Sequence, residues 1–88
     1  MPTIAYFYGI AIRMFFRDHP PPHVFASYSG HEANVAIETG DIIAGHLPAT
    51  AARLVKQWVL AHREELEDNW QRARTNRPLV KIAGLDDD

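Results

Sequence analysis

The chain has 88 residues, 47% of them hydrophobic, with nine Lys and Arg against eleven Asp and Glu for a formal net charge of −2, and no cysteine. So mild a charge excludes strong nonspecific attraction to nucleic acid, and the apolar content excludes intrinsic disorder. A cysteine-free chain this short folds on packing alone, as proteins of reducing compartments do, and no apolar run approaches the roughly 20 residues that span a bilayer.

The first ten residues, MPTIAYFYGI, lack the basic region and cleavage site of a secretory leader, so the expectation is a cytoplasmic protein with no membrane partner. One domain over residues 1–88 is expected, with a strand half over 1–45, a helical half over 46–76, and an extended segment with an acidic tail over 77–88. Ile4, Tyr6 and Tyr8 alternate before Gly9, which predicts a short separate strand or a flap over residues 3–8, with Gly9 as a bulge or a break. Ile10, Ile12, Met14 and Phe16 then alternate with Ala11, Arg13, Phe15 and Arg17, the period-two pattern of a strand with one buried face. Pro20, Pro21 and Pro22 end that strand, because proline fixes φ and donates no hydrogen bond. Residues 24–28 and 32–38 read as strands joined by Ser29, Gly30 and His31, and Thr39, Gly40 and Asp41 turn the chain into a short strand over 42–44. The fold class is α+β: an antiparallel meander of three to four strands covered by C-terminal helix.

From Pro48 the period becomes helical. Ala51, Leu54, Val55, Trp58, Leu66, Trp70 and Ala73 form one apolar stripe, and no proline or glycine interrupts residues 49–75. A single helix would run about 40 Å at 1.5 Å per residue, whereas a globule of this size is about 30 Å across. The favoured reading is therefore a helix that kinks or breaks between Leu60 and Glu64, as one long or two shorter helices, and is ended by Asn76 and Pro78. Leu79, Val80 and Ile82 read as a short edge segment. Glu64, Glu65, Glu67 and Asp68 precede Arg72 and Arg74, which favours the macrodipole of a second helix more than it resembles a carboxylate site. Trp58 and Trp70 read as core anchors, and His62 on the stripe as a hydrogen-bonded core histidine.

The run DHPPPH at residues 18–23 brackets three prolines with groups that bind metal or move protons. Extended as polyproline II, it would hold His19 and His23 about 12 Å apart, too far for one ion. As a hairpin loop it would bring them face to face, with Asp18 orienting one imidazole. Asp18, His19 and His23 are thus the candidate catalytic or metal-binding residues. Zinc needs a third protein ligand, for which His31 and His46 are the remaining choices. The bland reading is that Asp18 caps the loop and the histidines stack on neighbouring rings. No cofactor motif is present, and a divalent metal is the one cofactor to consider. Tyr6, Tyr8 and Tyr28 beside Arg13 and Arg17 form a candidate stacking platform for RNA, without the RNP-type sequence that such platforms carry.

The combination FYGI, the alternating strand, DH-x-PPH, IETG, LV-x-x-W, HR-x-EL and NW, spread over roughly residues 1 to 85, resembles a family of small prokaryotic proteins known only as domain of unknown function number four-one-six-zero. The resemblance brings no established reaction. Members of that family are often encoded beside a second small protein in the manner of toxin–antitoxin pairs, which implies a protein partner. The family motif commonly reads PPHFHA. Here Phe25 stands where the motif has a second histidine, which weakens any inherited metal or acid–base role.

The leading expectation is a protein-interaction module, one component of a two-component pair, with Pro20, Pro21, Pro22 and Arg72, Arg74, Arg77 as its partner-binding residues. The alternatives are a metal-dependent hydrolase or nuclease using Asp18, His19 and His23, and an RNA-binding domain. A homodimer is a further possible assembly.

Overall fold

Two-residue turns with both central φ angles positive govern the first half of the chain. The computed structural model describes residues 2–86. Tyr8 and Gly9 (φ 49° and 80°) join β1 (Thr3–Phe7) to β2 (Ile10–Arg13), and Ser29 and Gly30 (φ 48° and 83°) join β3 (His23–Tyr28) to β4 (His31–Ala36). Such turns match the twist of the strands they connect. Gly9 is therefore a turn residue rather than a bulge or a break, and His31 opens β4 instead of belonging to the loop. With β5 (Ile42–Gly45), the strands form one antiparallel sheet in chain order, so the meander has five strands, one more than expected.

One face of this sheet is covered. Ile12, Ala26 and Ala33 stand opposite one another across β2, β3 and β4, with Val24 opposite Val35, and all five are buried. A bulge between Thr3 and Ala5 resets the alternation of β1. Ile4, Ala5 and Phe7 are buried, whereas Tyr6 and Tyr8 are 64% and 56% exposed, so the expected Ile4, Tyr6, Tyr8 row does not form. β2 also stops earlier than its pattern implies. Met14 is still buried, but Phe16 is exposed because the chain has already left the ladder for the proline loop.

The helices are α1 (Ala49–Ala61) and α2 (Arg63–Arg74), separated at His62 within the predicted interval. The His62 N–H still reaches the carbonyls of Trp58 and Val59, while its own φ of −121° takes the next turn off the first axis. The break keeps both stripes on a sheet whose molecule measures 33 × 30 × 21 Å. Ala51, Val55, Trp58 and Val59 are buried from α1, and Leu66, Asn69, Trp70 and Ala73 from α2. Leu54 is only half-buried. Trp58 packs its ring on Phe7 at 5.3 Å and donates its indole N–H to the Ala83 carbonyl at 2.8 Å.

The expected edge segment at Leu79, Val80 and Ile82 is not a strand. It holds one ladder-like bond, from Ile82 N to Ile4 O, and is fastened by side chains: Asn69 donates Nδ2–H to the Val80 carbonyl at 2.7 Å and accepts the Val80 N–H at 2.8 Å. Asp86 accepts the Tyr8 N–H at 3.3 Å, and the rest of the acidic tail, Asp87 and Asp88, lies outside the described residues. Among the described residues no helix is long and apolar enough to cross a membrane.

Candidate functional site

Residues 14–22 connect β2 to β3, and Asp18 organises them. Its Oδ1 accepts the His19 N–H at 2.8 Å and lies 3.0 Å from His19 Nδ1, while Oδ2 lies 2.9 Å from His23 Nε2. The second nitrogen of His23, Nδ1, meets the Pro21 carbonyl at 2.7 Å, and since a carbonyl only accepts, Nδ1 carries a hydrogen. The His23 ring is buried and rests on Trp70 at 5.4 Å and on His19 at 5.8 Å. The two histidines therefore face each other, as the loop geometry allows and an extended run does not.

The prolines sit on the surface of this knot. Pro20, Pro21 and Pro22 are all exposed, and the Pro20–Pro21 peptide bond is cis. Their missing N–H groups leave carbonyls that need donors. The Pro21 carbonyl takes His23 Nδ1–H and the Pro22 carbonyl takes the Ile37 N–H at 3.0 Å. At the other end of the loop, Arg17 donates its N–H to the Ala73 carbonyl in the last turn of α2 at 3.2 Å. The loop is thus fixed to the sheet, to α2 and to itself.

That last bond joins two surfaces that the sequence presents separately. Arg72, Arg74 and Arg77 occupy the end of α2 and its exit, and the Arg17–Ala73 bond ties the proline loop to that last turn. Arg72 pairs with Asp68 at 2.8 Å, Arg77 donates to Thr75 Oγ1 at 2.8 Å, and Arg74 is exposed. Phe15 and Phe16, 37% and 39% exposed, extend the same loop, and Phe15 meets Phe25 edge-on at 5.7 Å. Phe15 and Phe16 belong to the candidate surface although the alternation assigned them to a strand. The signal was present in the three prolines, which take the chain out of the ladder several residues early.

The remaining candidates do not converge on Asp18. His31 and His46 lie at the opposite end of the β3–β4 hairpin from His23, with ring centres 5.6 Å apart. Among the described residues no three His, Cys, Asp or Glu side chains are placed to hold one metal ion. His62 bonds Glu65 through Nδ1 at 2.7 Å and packs on Trp58, and Asp68 is taken by Arg72. The three tyrosines do not share a platform. Tyr8 and Tyr28 flank a groove of about 490 Å³ with Pro48 and Leu54, whereas Tyr6 stands opposite Ala11 on the uncovered face of the sheet, and Arg17 is in the proline loop.

A two-layer α+β protein, with two helices on one face of a five-stranded meander and a proline loop tied by an aspartate and two histidines, is the class that fold and site define. The chain belongs to the family described as a domain of unknown function, DUF4160, whose model matches residues 9–71. The matched span contains the whole proline loop, both hairpins after Tyr8 and most of α2. No curated protein and no solved structure matches the chain.

Proposed function

We propose that this protein is a cytoplasmic protein-interaction module, one component of a two-component pair of the toxin–antitoxin kind, and that its recognition face is the proline loop together with the basic end of α2. The observation that carries the reading is the Arg17–Ala73 backbone bond, which fastens the loop bearing exposed Phe15, Phe16, Pro20, Pro21 and Pro22 to the last turn of α2, where the basic residues Arg72 and Arg74 lie and from which Arg77 follows. Aromatic and arginine side chains are the residues that dominate binding energy at protein interfaces. A loop already held at three points loses little conformational entropy on docking, so more of its contact energy appears as affinity.

The chemistry at Asp18 favours binding over catalysis. Both carboxylate oxygens are engaged by the loop's own histidines, and both His23 nitrogens face oxygen partners, so the polar groups are spent on the shape of the loop. The partner expected from this face is a small protein with an acidic rim around an apolar cleft. The test is to produce the full chain with the product of the adjacent gene and to follow association by calorimetry and size-exclusion chromatography. A stoichiometric complex that weakens when Phe16 and Pro21 are changed to Ser supports the reading. Absence of a complex, or a complex indifferent to those changes and to the arginines, overturns it.

A further inference from the structure

We infer that His31 and His46 form a two-imidazole chelate for a late first-row divalent metal ion, at the end of the sheet remote from the proline loop. The pair lies at the other end of the β3–β4 hairpin from His23 and apart from the proposed partner face.

The local fold brings the two rings together. Gly45 adopts φ +83°, and a Cβ at that position would collide with the Glu32 carbonyl, so only glycine lets β5 turn this closely against β4. The next residue, His46, then donates its N–H to that same carbonyl at 3.0 Å, which sets it beside the first residue of β4, His31. The ring centres are 5.6 Å apart and the planes are inclined at 70°. With metal–nitrogen bonds of about 2.1 Å, two imidazoles sharing an ion at roughly tetrahedral angles have ring centres about 5 Å apart. Rotamer changes within exposed side chains close the difference, and both histidines are exposed.

The chemistry favours a particular class of ion. Imidazole suits copper, nickel and zinc, and for a given nitrogen site affinity rises along the series from manganese to copper before falling at zinc. Because no third protein ligand is placed among the described residues, water fills the remaining positions and the ion stays exchangeable. The advantage over a lone surface histidine is the chelate effect: once one ring binds, the other meets the ion at high effective concentration. The bound ion would also tie the exit of β5 to the start of β4 and so stabilise the folded chain by mass action.

The probe is Ni²⁺ or Cu²⁺ alone, titrated into the full chain at about pH 7.5, where ordinary imidazoles are neutral. Calorimetry is expected to give one site per chain, and paramagnetic broadening in NMR spectra is expected to centre on His31 and His46 and to reach Tyr28 and Glu32. His31→Ala and His46→Ala should each weaken binding about tenfold or more and remove the metal-dependent rise in melting temperature, whereas His62→Ala should leave both unchanged. Affinity that survives in the His31→Ala, His46→Ala double variant, or that disappears in His23→Ala instead, overturns the assignment.

Discussion

The side-chain amide of Asn69 grips the backbone of Val80 from both sides, donating to its carbonyl at 2.7 Å and accepting its N–H at 2.8 Å. Asn69 is fully buried in α2, and the pair does the work of a sheet ladder for a segment that joins no sheet. Replacing Asn69 with Ala or Leu is expected to destabilise the protein by about 1–3 kcal/mol, because Val80 loses a donor and an acceptor at once. Asn69→Asp should be no milder, since a carboxylate keeps the acceptor but faces the Val80 carbonyl. Urea unfolding measures the loss. A change within about 0.5 kcal/mol would mean that the Asn69–Val80 pair contributes little to stability.

Trp70 holds α2 to the proline loop through the His23 ring, and it is 2% exposed. Trp70→Ala should therefore cost about 3–5 kcal/mol, enough to unfold a domain of this size. A folded variant with a loss below about 1 kcal/mol would show that the loop does not depend on this contact.

Asp18 engages His19 and His23 through its two carboxylate oxygens. Asp18→Ala strands His23 Nε2 in a buried position and should cost about 1–2 kcal/mol, whereas Asp18→Asn keeps an acceptor and should cost less. Amide exchange in residues 17–23 should rise more in the alanine variant than in the asparagine one. Equal exchange in both would remove Asp18 from its organising role.

The Lys56 ammonium, hydrogen-bonded to Asp41 at 2.8 Å, holds that carboxyl below the ordinary range by the hydrogen bond first and by charge second, with a smaller contribution from Thr39. A lowered folded-state pKa contributes stability that is present above the ordinary carboxylate value of about 3.9 and is lost as pH falls through the lower, folded value. Both side chains are exposed, so the effect belongs to the acid limb alone and is screened by salt. Lys56→Gln should move the Asp41 titration, followed by NMR, back up toward the ordinary value. A titration unmoved by that change would show that the pair does not form in solution.

The antiparallel meander and the helix break were legible for different reasons. Ile10 and Ile12 alternate cleanly because one face of β2 is buried, and the break at His62 follows from a stripe longer than the molecule is wide. The β1 pattern misled because its bulge between Thr3 and Ala5 reverses which residues point inward, and nothing in the composition of TIAYF announces a bulge. Phe16 misled because period two continues in the letters after the ladder has ended. At the site, Asp18, His19 and His23 were visible as a cluster, but their mutual geometry depends on a loop held by Ala73, Ile37 and Trp70, all distant in sequence. Asn69 carried no such signal, since a lone asparagine within a charged helix resembles a surface residue until its partner, Val80, is known. His31 and His46 came together only through the turn at Gly45.

The arginines at the end of α2 separate the proposed partner face from a purely apolar contact. Arg74 is exposed, Arg77 is held by Thr75 and Arg72 is half-engaged with Asp68, so removing all three deletes charge without uncovering the core. The Arg72→Ala, Arg74→Ala, Arg77→Ala triple variant should therefore stay folded, with a melting temperature close to that of the parent chain. Rim charges act mainly on encounter, so its association with an acidic partner should slow by about tenfold or more at low salt while dissociation changes little. Raising ionic strength from about 0.01 M to 0.15 M shortens the screening length from about 30 Å to 8 Å and should bring the parent and variant rates together. Stopped-flow association with the adjacent gene's product, measured at both ionic strengths, makes the comparison. Rates that match at low salt would remove Arg72, Arg74 and Arg77 from the recognition face and leave the proline loop as its sole candidate.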